Sequence, residues 1–81
     1  MMDFDFINVG FGNFLSINRL VAVVGAHSSP VKKLLQNAKE QGFVIDATYG
    51  RKTRSVILID SGHIVLSFLQ KETISRRLDK S

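Results

Sequence analysis

The chain has 81 residues, enough for one small domain that buries only about 60 to 65% of the surface its unfolded chain exposes. Hydrophobic residues make up 44% of it, which argues for an ordered fold, and 11 Lys plus Arg against 7 Asp plus Glu give a net charge of +4 that favours polyanions as partners. The absence of cysteine excludes disulfides and thiolate metal sites, while His27 and His63 are thin material for an imidazole site and no apolar run approaches the ~20 residues of a membrane helix. The acidic start MMDFDFINVG lacks the basic flank of a secretory signal, so the cytosol is the expected location.

Phe6 to Val9 reads as a first strand, closed by the turn Gly10-Phe11-Gly12-Asn13, with Phe11 and Phe14 expected to join the core. Leu20 to Val24 is a β-branched second strand ended by Gly25. Ser29 as N-cap and Pro30 as first helical residue open a helix in which Val31, Leu34, Leu35 and Ala38 share one face; Gly42 stops it. Phe43 to Thr48 reads as a third strand, Tyr49 to Thr53 as a tip, Arg54 to Asp60 as a fourth strand and His63 to Phe68 as a fifth across the Ser61-Gly62 turn. These last three strands are expected to form an antiparallel meander with the tip as a projecting hairpin. Ile74 and Leu78, four apart, predict a short C-terminal helix with Arg76, Arg77 and Lys80 in solvent. The fold class is therefore α+β: one domain over residues 1–81, a small antiparallel sheet of about five strands, one well-defined helix after the second strand and a short helix at the end.

Two strands are apolar on both faces, through Val21, Ala22, Val23 and Val24 in one and Val56 to Ile59 in the other. One helix over one sheet face leaves a surplus, and a subunit interface is the natural cover for it.

Of the candidate sites, Gly10-Phe11-Gly12-Asn13-Phe14-Leu15 begins like a dinucleotide fingerprint but places Leu15 where the third glycine belongs and has no following helix. A direction-changing turn accounts for it better. His63 beside Asp60, and His27 before the helix, lack a nucleophile or third ligand, so a hairpin histidine and a loop histidine are the simpler readings. No catalytic constellation, cofactor or small-molecule substrate is expected.

The segment Tyr49-Gly50-Arg51-Lys52-Thr53-Arg54 has more content, with three cations in four residues and no acid among them. Arg grips phosphate bidentately or reads base edges, Lys adds a mobile charge, Tyr49 braces the tip or touches sugar and phosphate, and Gly50 permits close backbone approach. Either this is a solvated hairpin end or it contacts nucleic acid. Arg19, placed directly before an apolar strand, is either a phosphate anchor or one half of an ion pair.

The blocks INVGFGNFLSINRLVAVV, SSPVKKLLQNAKEQG, IDATYGRKTRSVILIDSGHIVLS and ETISRRL resemble the RemA family, small bacterial regulators of extracellular-matrix genes, from about Ile7 to Leu78. The resemblance implies a non-enzymatic, DNA-binding transcriptional regulator of the biofilm type that assembles into a ring-shaped homo-oligomer and is cytoplasmic and nucleoid-associated. In the family the basic positions matching Arg51 and Lys52 are linked to DNA binding, and those matching Arg19 and Pro30 are functionally sensitive. Arg54 and Tyr49 join this set on chemistry and proximity alone. The chain departs from the family pattern in its acidic start, its short tail and Lys52, where relatives commonly carry a second Arg; Lys keeps the charge and loses the bidentate fork. Two other readings of the residues stay open: RNA binding, for which the single aromatic Tyr49 is a poor stacking platform, and an architectural or protein-interaction oligomer whose cations meet acidic partners.

Overall fold

In the computed structural model, which describes residues 5–79, the elements follow in the order β1 (Phe6–Asn8), β2 (Phe14–Ser16), a 3-10 turn at Ile17–Arg19, β3 (Leu20–Gly25), α1 (Ser29–Gln41), β4 (Val44–Asp46), β5 (Ser55–Ile59), β6 (Ile64–Ser67) and α2 (Lys71–Asp79). Asp3 of the acidic start, and Lys80, lie outside the described residues. The fold is α+β, as the pattern of elements predicts.

Strands β5 and β6 form the centre, an antiparallel pair with Ile57 opposite Val65 and Val56 opposite Leu66. Successive side chains on a strand alternate between faces, so these two apolar strands supply both sides of the sheet. On one side Ile57 and Val65 pack with Ile7, Val9, Ala47 and Ile74, which come from β1, the end of β4 and α2. On the other side Val56, Ile64 and Leu66 pack with Ala26 and Ala38, and with Val31 and Leu35 of α1. Leu34, assigned by spacing to the same helix face, is exposed. The second face of the sheet is thus covered within the chain, by the β1–β2 ribbon and α2, and the apolar surplus does not by itself require a partner subunit. Arg77, expected in solvent, helps to hold that cover, because its Nη1 donates to the Asn8 carbonyl at 2.6 Å.

The strand order is β3-β5-β6-β4, and β4 pairs with β6 in parallel. The expected three-strand meander is therefore incorrect, and the Tyr49 to Thr53 tip is not a hairpin between neighbours. Sequence pattern cannot distinguish a strand that pairs with its successor from one that skips it; here β6 takes the central place because both of its faces are apolar. Strand β2 was also outside the expected set. Phe14, Leu15 and Ser16 carry one buried-side residue between two outward ones, and β2 pairs with β1 as a separate two-stranded ribbon. Its outer face holds Phe6 and Phe14, and Phe14 is 64% exposed, contrary to its expected place in the core.

Helix α1 starts one residue earlier than the spacing suggests. Ser28 is the N-cap and accepts from the Val31 N–H, which places Pro30 second in the helix, exposed, where its missing N–H costs nothing; Gly42, left-handed, closes the other end. No helix of the described residues is long and apolar enough to cross a membrane. Within the core the Ser67 hydroxyl donates to the Val9 carbonyl at 2.7 Å and accepts from the Leu69 N–H, whereas the buried Ser55 hydroxyl has no partner among the described residues.

Replacement of either wholly buried isoleucine, Ile57→Ala or Ile74→Ala, is expected to cost about 2–5 kcal/mol in a urea titration, and Ser55→Ala to stay within about 1 kcal/mol of the parent because it removes no hydrogen bond.

Candidate nucleic-acid interface

Residues 47–54 run across the end of β6. The Ala47 N–H donates to the Leu66 carbonyl at 3.0 Å, and the Arg54 N–H donates to the Ser67 carbonyl at 2.9 Å. Between these fixed points the segment crosses from the β4 side of β6 to β5. It is anchored a third time where the Ala26 N–H, at the end of β3, donates to the Arg54 carbonyl at 3.2 Å. The tip is tied down by backbone pairing on both sides, so its side chains project from a rigid base.

Local chemistry shapes its start. Asp46 accepts from the Thr48 N–H at 2.9 Å and the Thr48 hydroxyl at 2.6 Å, a side-chain turn that ends β4 and buries Thr48. The Thr48 side chain, followed by its backbone N–H, holds the Asp46 carboxyl below its ordinary value. The next turn is closed by the Arg51 N–H donating to the Thr48 carbonyl at 3.0 Å, with both central residues at positive φ, Tyr49 at 54° and Gly50 at 81°. That pattern belongs to type I′ turns. It puts Arg51, Lys52 and Arg54 at the surface, with no carboxylate in salt-bridge distance of any of them among the described residues.

The glycine turn between β1 and β2 lies against this tip. Its Asn13 N–H donates to the Gly10 carbonyl at 3.0 Å, and its central residues are again at positive φ, Phe11 at 54° and Gly12 at 75°. The Phe11 ring stacks on Tyr49 with centroids 4.9 Å apart and lies 4.6 Å from the Phe68 ring, and the Arg51 guanidinium carbon stands 5.5 Å from the Phe11 centroid. Left-handed φ costs an ordinary residue about 1–2 kcal/mol. Two aromatic contacts at about 0.5–1.5 kcal/mol each and one cation–π contact at about 0.5–1 kcal/mol offset that cost. Gly10 has a steric reason of its own, because a Cβ there would lie 2.7 Å from Phe68 Cε1. Phe11 and Phe68 were missed as parts of this site; the signal for Phe11 was an aromatic residue between two glycines, a place where a side chain has little chance of burial.

The remaining candidates separate by position. Arg19 lies at the start of β3 and pairs with Asp60 at 3.4 Å, both side chains exposed. Of its two readings the ion pair is present, and one chain does not bring Arg19 to the tip, since the length of β3, about 17 Å, lies between them. Pro30 sits at the tip end of the sheet, four residues after Ala26. Lys71 is also there, with its side chain over the side-chain position that Gly25 leaves open, and pairs with Glu72 at 3.4 Å. His63 is held by Ser61, whose hydroxyl lies 2.8 Å from Nδ1, and by Phe43, and His27 is exposed. No three His, Asp or Glu side chains among the described residues come together as metal ligands.

A family model described as RemA-like, extracellular matrix regulatory protein A-like, matches residues 6–78. The chain belongs to the RemA-like family. It is 54% identical over 77 residues to a protein of Clostridium acetobutylicum, covering 95% of this chain and 84% of that one. It is 54% identical over 80 residues to one of Thermoanaerobacter sp. strain X514, covering 99% and 83%, and 56% identical over 73 residues to one of Acetivibrio thermocellus, covering 90% and 78%. All three carry the name "Putative regulatory protein".

At the entry to the tip of this RemA-like chain the Asp46 carboxyl accepts both Thr48 bonds, which favour its ionised form. A carboxyl lowered in the folded state stabilises it fully above the unfolded value of 3.8, and that contribution disappears as pH falls through the lower folded value. Asp46→Asn keeps an acceptor but no charge, and its urea midpoint is expected to fall less than that of the wild type between pH 6 and pH 3; equal falls would remove the carboxylate from this role.

Proposed function

We propose that the chain is a DNA-binding transcriptional regulator, of the extracellular-matrix and biofilm type, that works in the cytoplasm at the nucleoid as a ring-shaped homo-oligomer. The observation that carries this reading is the set Arg51, Lys52 and Arg54, exposed and without acidic partners among the described residues, on a tip held by backbone bonds to β3 and β6. Lys52 and Arg54 make no ion pair among the described residues, and the Arg51 guanidinium is held by a ring and not by an acid. The start of α1, with Lys32 and Lys33 exposed, adds positive charge at the same end of the sheet. The relatives' name as regulatory proteins and the family description support the regulatory part of the reading.

The mechanism follows from charge and repetition. Arg51 clamps a phosphate with its planar fork, Lys52 and Arg54 neutralise neighbouring phosphates, and Tyr49, 70% exposed, lies along the sugar–phosphate backbone. Each phosphate neutralised releases counterions, so the affinity is salt-dependent, and one tip binds weakly at physiological salt. Several tips on one ring act at high effective concentration on a single DNA, which selects duplex that bends easily around them. Phe6 and Phe14 on the outer face of the ribbon, Val21 at a bulge on the outer edge of β3, and Ile45 on the edge strand β4 are among the exposed apolar residues available for contact between copies. Arg19 at the far end of β3 is placed to serve such a contact or a second DNA segment, and Pro30 shapes the start of α1.

Two measurements test this. Arg51→Ala and Lys52→Ala are expected to lower duplex affinity and to reduce the slope of log K against log salt by about 0.9 for each phosphate left unneutralised, with circular dichroism and oligomer mass unchanged; unchanged gel retardation would remove the tip as the interface. Native mass spectrometry is expected to give one closed oligomer at micromolar concentration and the same oligomer with promoter-length duplex, and a monomer under both conditions would end the ring reading.

A further inference from the structure

The two turns at the tip end are built alike. Each is a four-residue turn closed by an N–H donating back three residues, at Gly10 to Asn13 and Thr48 to Arg51, and each has an aromatic–glycine pair at its centre. Type I′ turns favour Asn-Gly or Asp-Gly because both central residues take positive φ, and a bulky residue at the first of them is uncommon. Here both first positions are aromatic, Phe11 and Tyr49 at the same φ of 54°, and the two rings stack on each other. Neither ring is needed to make its turn. Strain accepted twice at one place, for rings that pack on each other at the surface and stay outside the buried clusters, marks a role outside the core.

We propose that Phe11 is a positioning residue of the nucleic-acid interface, and that the β1–β2 turn forms its second half. This rests on the reading of the tip as the DNA contact. Phe68, half-buried, supports the Phe11 ring from the body of the domain, and Gly10 leaves space for that approach. The Phe11 ring in turn supports Tyr49 and the Arg51 guanidinium. An arginine held over a ring keeps its donors in one plane and loses less side-chain freedom when it meets phosphate. Phe11 therefore acts through Arg51, and through Tyr49 beside it, and touches no phosphate itself.

Phe11→Asn suits the turn better than phenylalanine and deletes the ring, whereas Phe11→Tyr keeps it. Phe11→Asn is expected to stay folded and to weaken duplex DNA binding about two- to fivefold for each engaged tip, and Phe11→Tyr to bind as the wild type does. In an Arg51→Ala background Phe11→Asn should cause a smaller weakening, the part that passes through Tyr49 alone. Wild-type affinity in Phe11→Asn, or an equal weakening with and without Arg51, would overturn the proposal. A readout without DNA separates it from the DNA reading itself. Side-chain proton resonances of Arg51 are expected to be ring-shifted upfield in the wild type and to return to ordinary positions in Phe11→Asn. Ordinary positions in the wild type overturn the positioning role even if a variant fails to fold. A ring-shifted Arg51 in a protein that does not retard duplex DNA leaves the positioning role standing and overturns the DNA reading instead.

Discussion

Val56 and Ile57 are neighbours in the chain, both wholly buried, and on opposite faces of one strand. A strand with such a pair must be covered on both sides, and a chain of 81 residues has few elements with which to do it. Helix α1 covers one face. The other needs three contributors, the β1–β2 ribbon, the end of β4 and α2, none of which has enough apolar surface alone. This division of the core brings the N-terminal ribbon over the sheet and so sets the Gly10 to Asn13 turn beside the tip.

The same constraint explains the path of residues 47–54. With β5 and β6 taking the fully buried centre, β4 is left at an edge beside β6 and must reach β5 across the end of its neighbour. A connection of this kind cannot be a tight hairpin. It has backbone anchors at Ala47 and Arg54 and a short exposed arc between them, and the cations occupy that arc. Charge placed on such an arc is held at a fixed place at the end of the sheet.

The electrostatics divide the molecule by end. Among the described residues Arg51, Lys52 and Arg54 have no acid in salt-bridge distance at one end of β3, while Arg19 is matched with Asp60 at the other. An exposed pair at 3.4 Å contributes little to stability, and its effect is to lower the positive charge of the far end. Asp46, the acid closest in sequence to the tip, is directed to Thr48, so it shapes the turn without pairing with the cations. The aromatic contacts among Tyr49, Phe11 and Phe68 then supply the stiffness that a solvated arc otherwise lacks.

Local rules were sufficient for much of this protein. The spacing of Val31, Leu35 and Ala38 and the stop at Gly42 determined α1; β-branched runs determined β3, β5 and β6; Ile74 and Leu78 determined the last helix; and unopposed cations next to Tyr49-Gly50 marked the tip, because each of these signals resides in adjacent residues. Strand order was decided by the tertiary structure, since the pairing of β4 with β6 depends on which strands are most buried, a property of the assembled sheet. The solvent exposure of Phe14 and Phe11 was decided in the same way. Composition assigns an aromatic residue to the core, and only the placement of the ribbon over a sheet already filled by Ile57, Val65 and Ile74 leaves those rings outside, one of them against the tip.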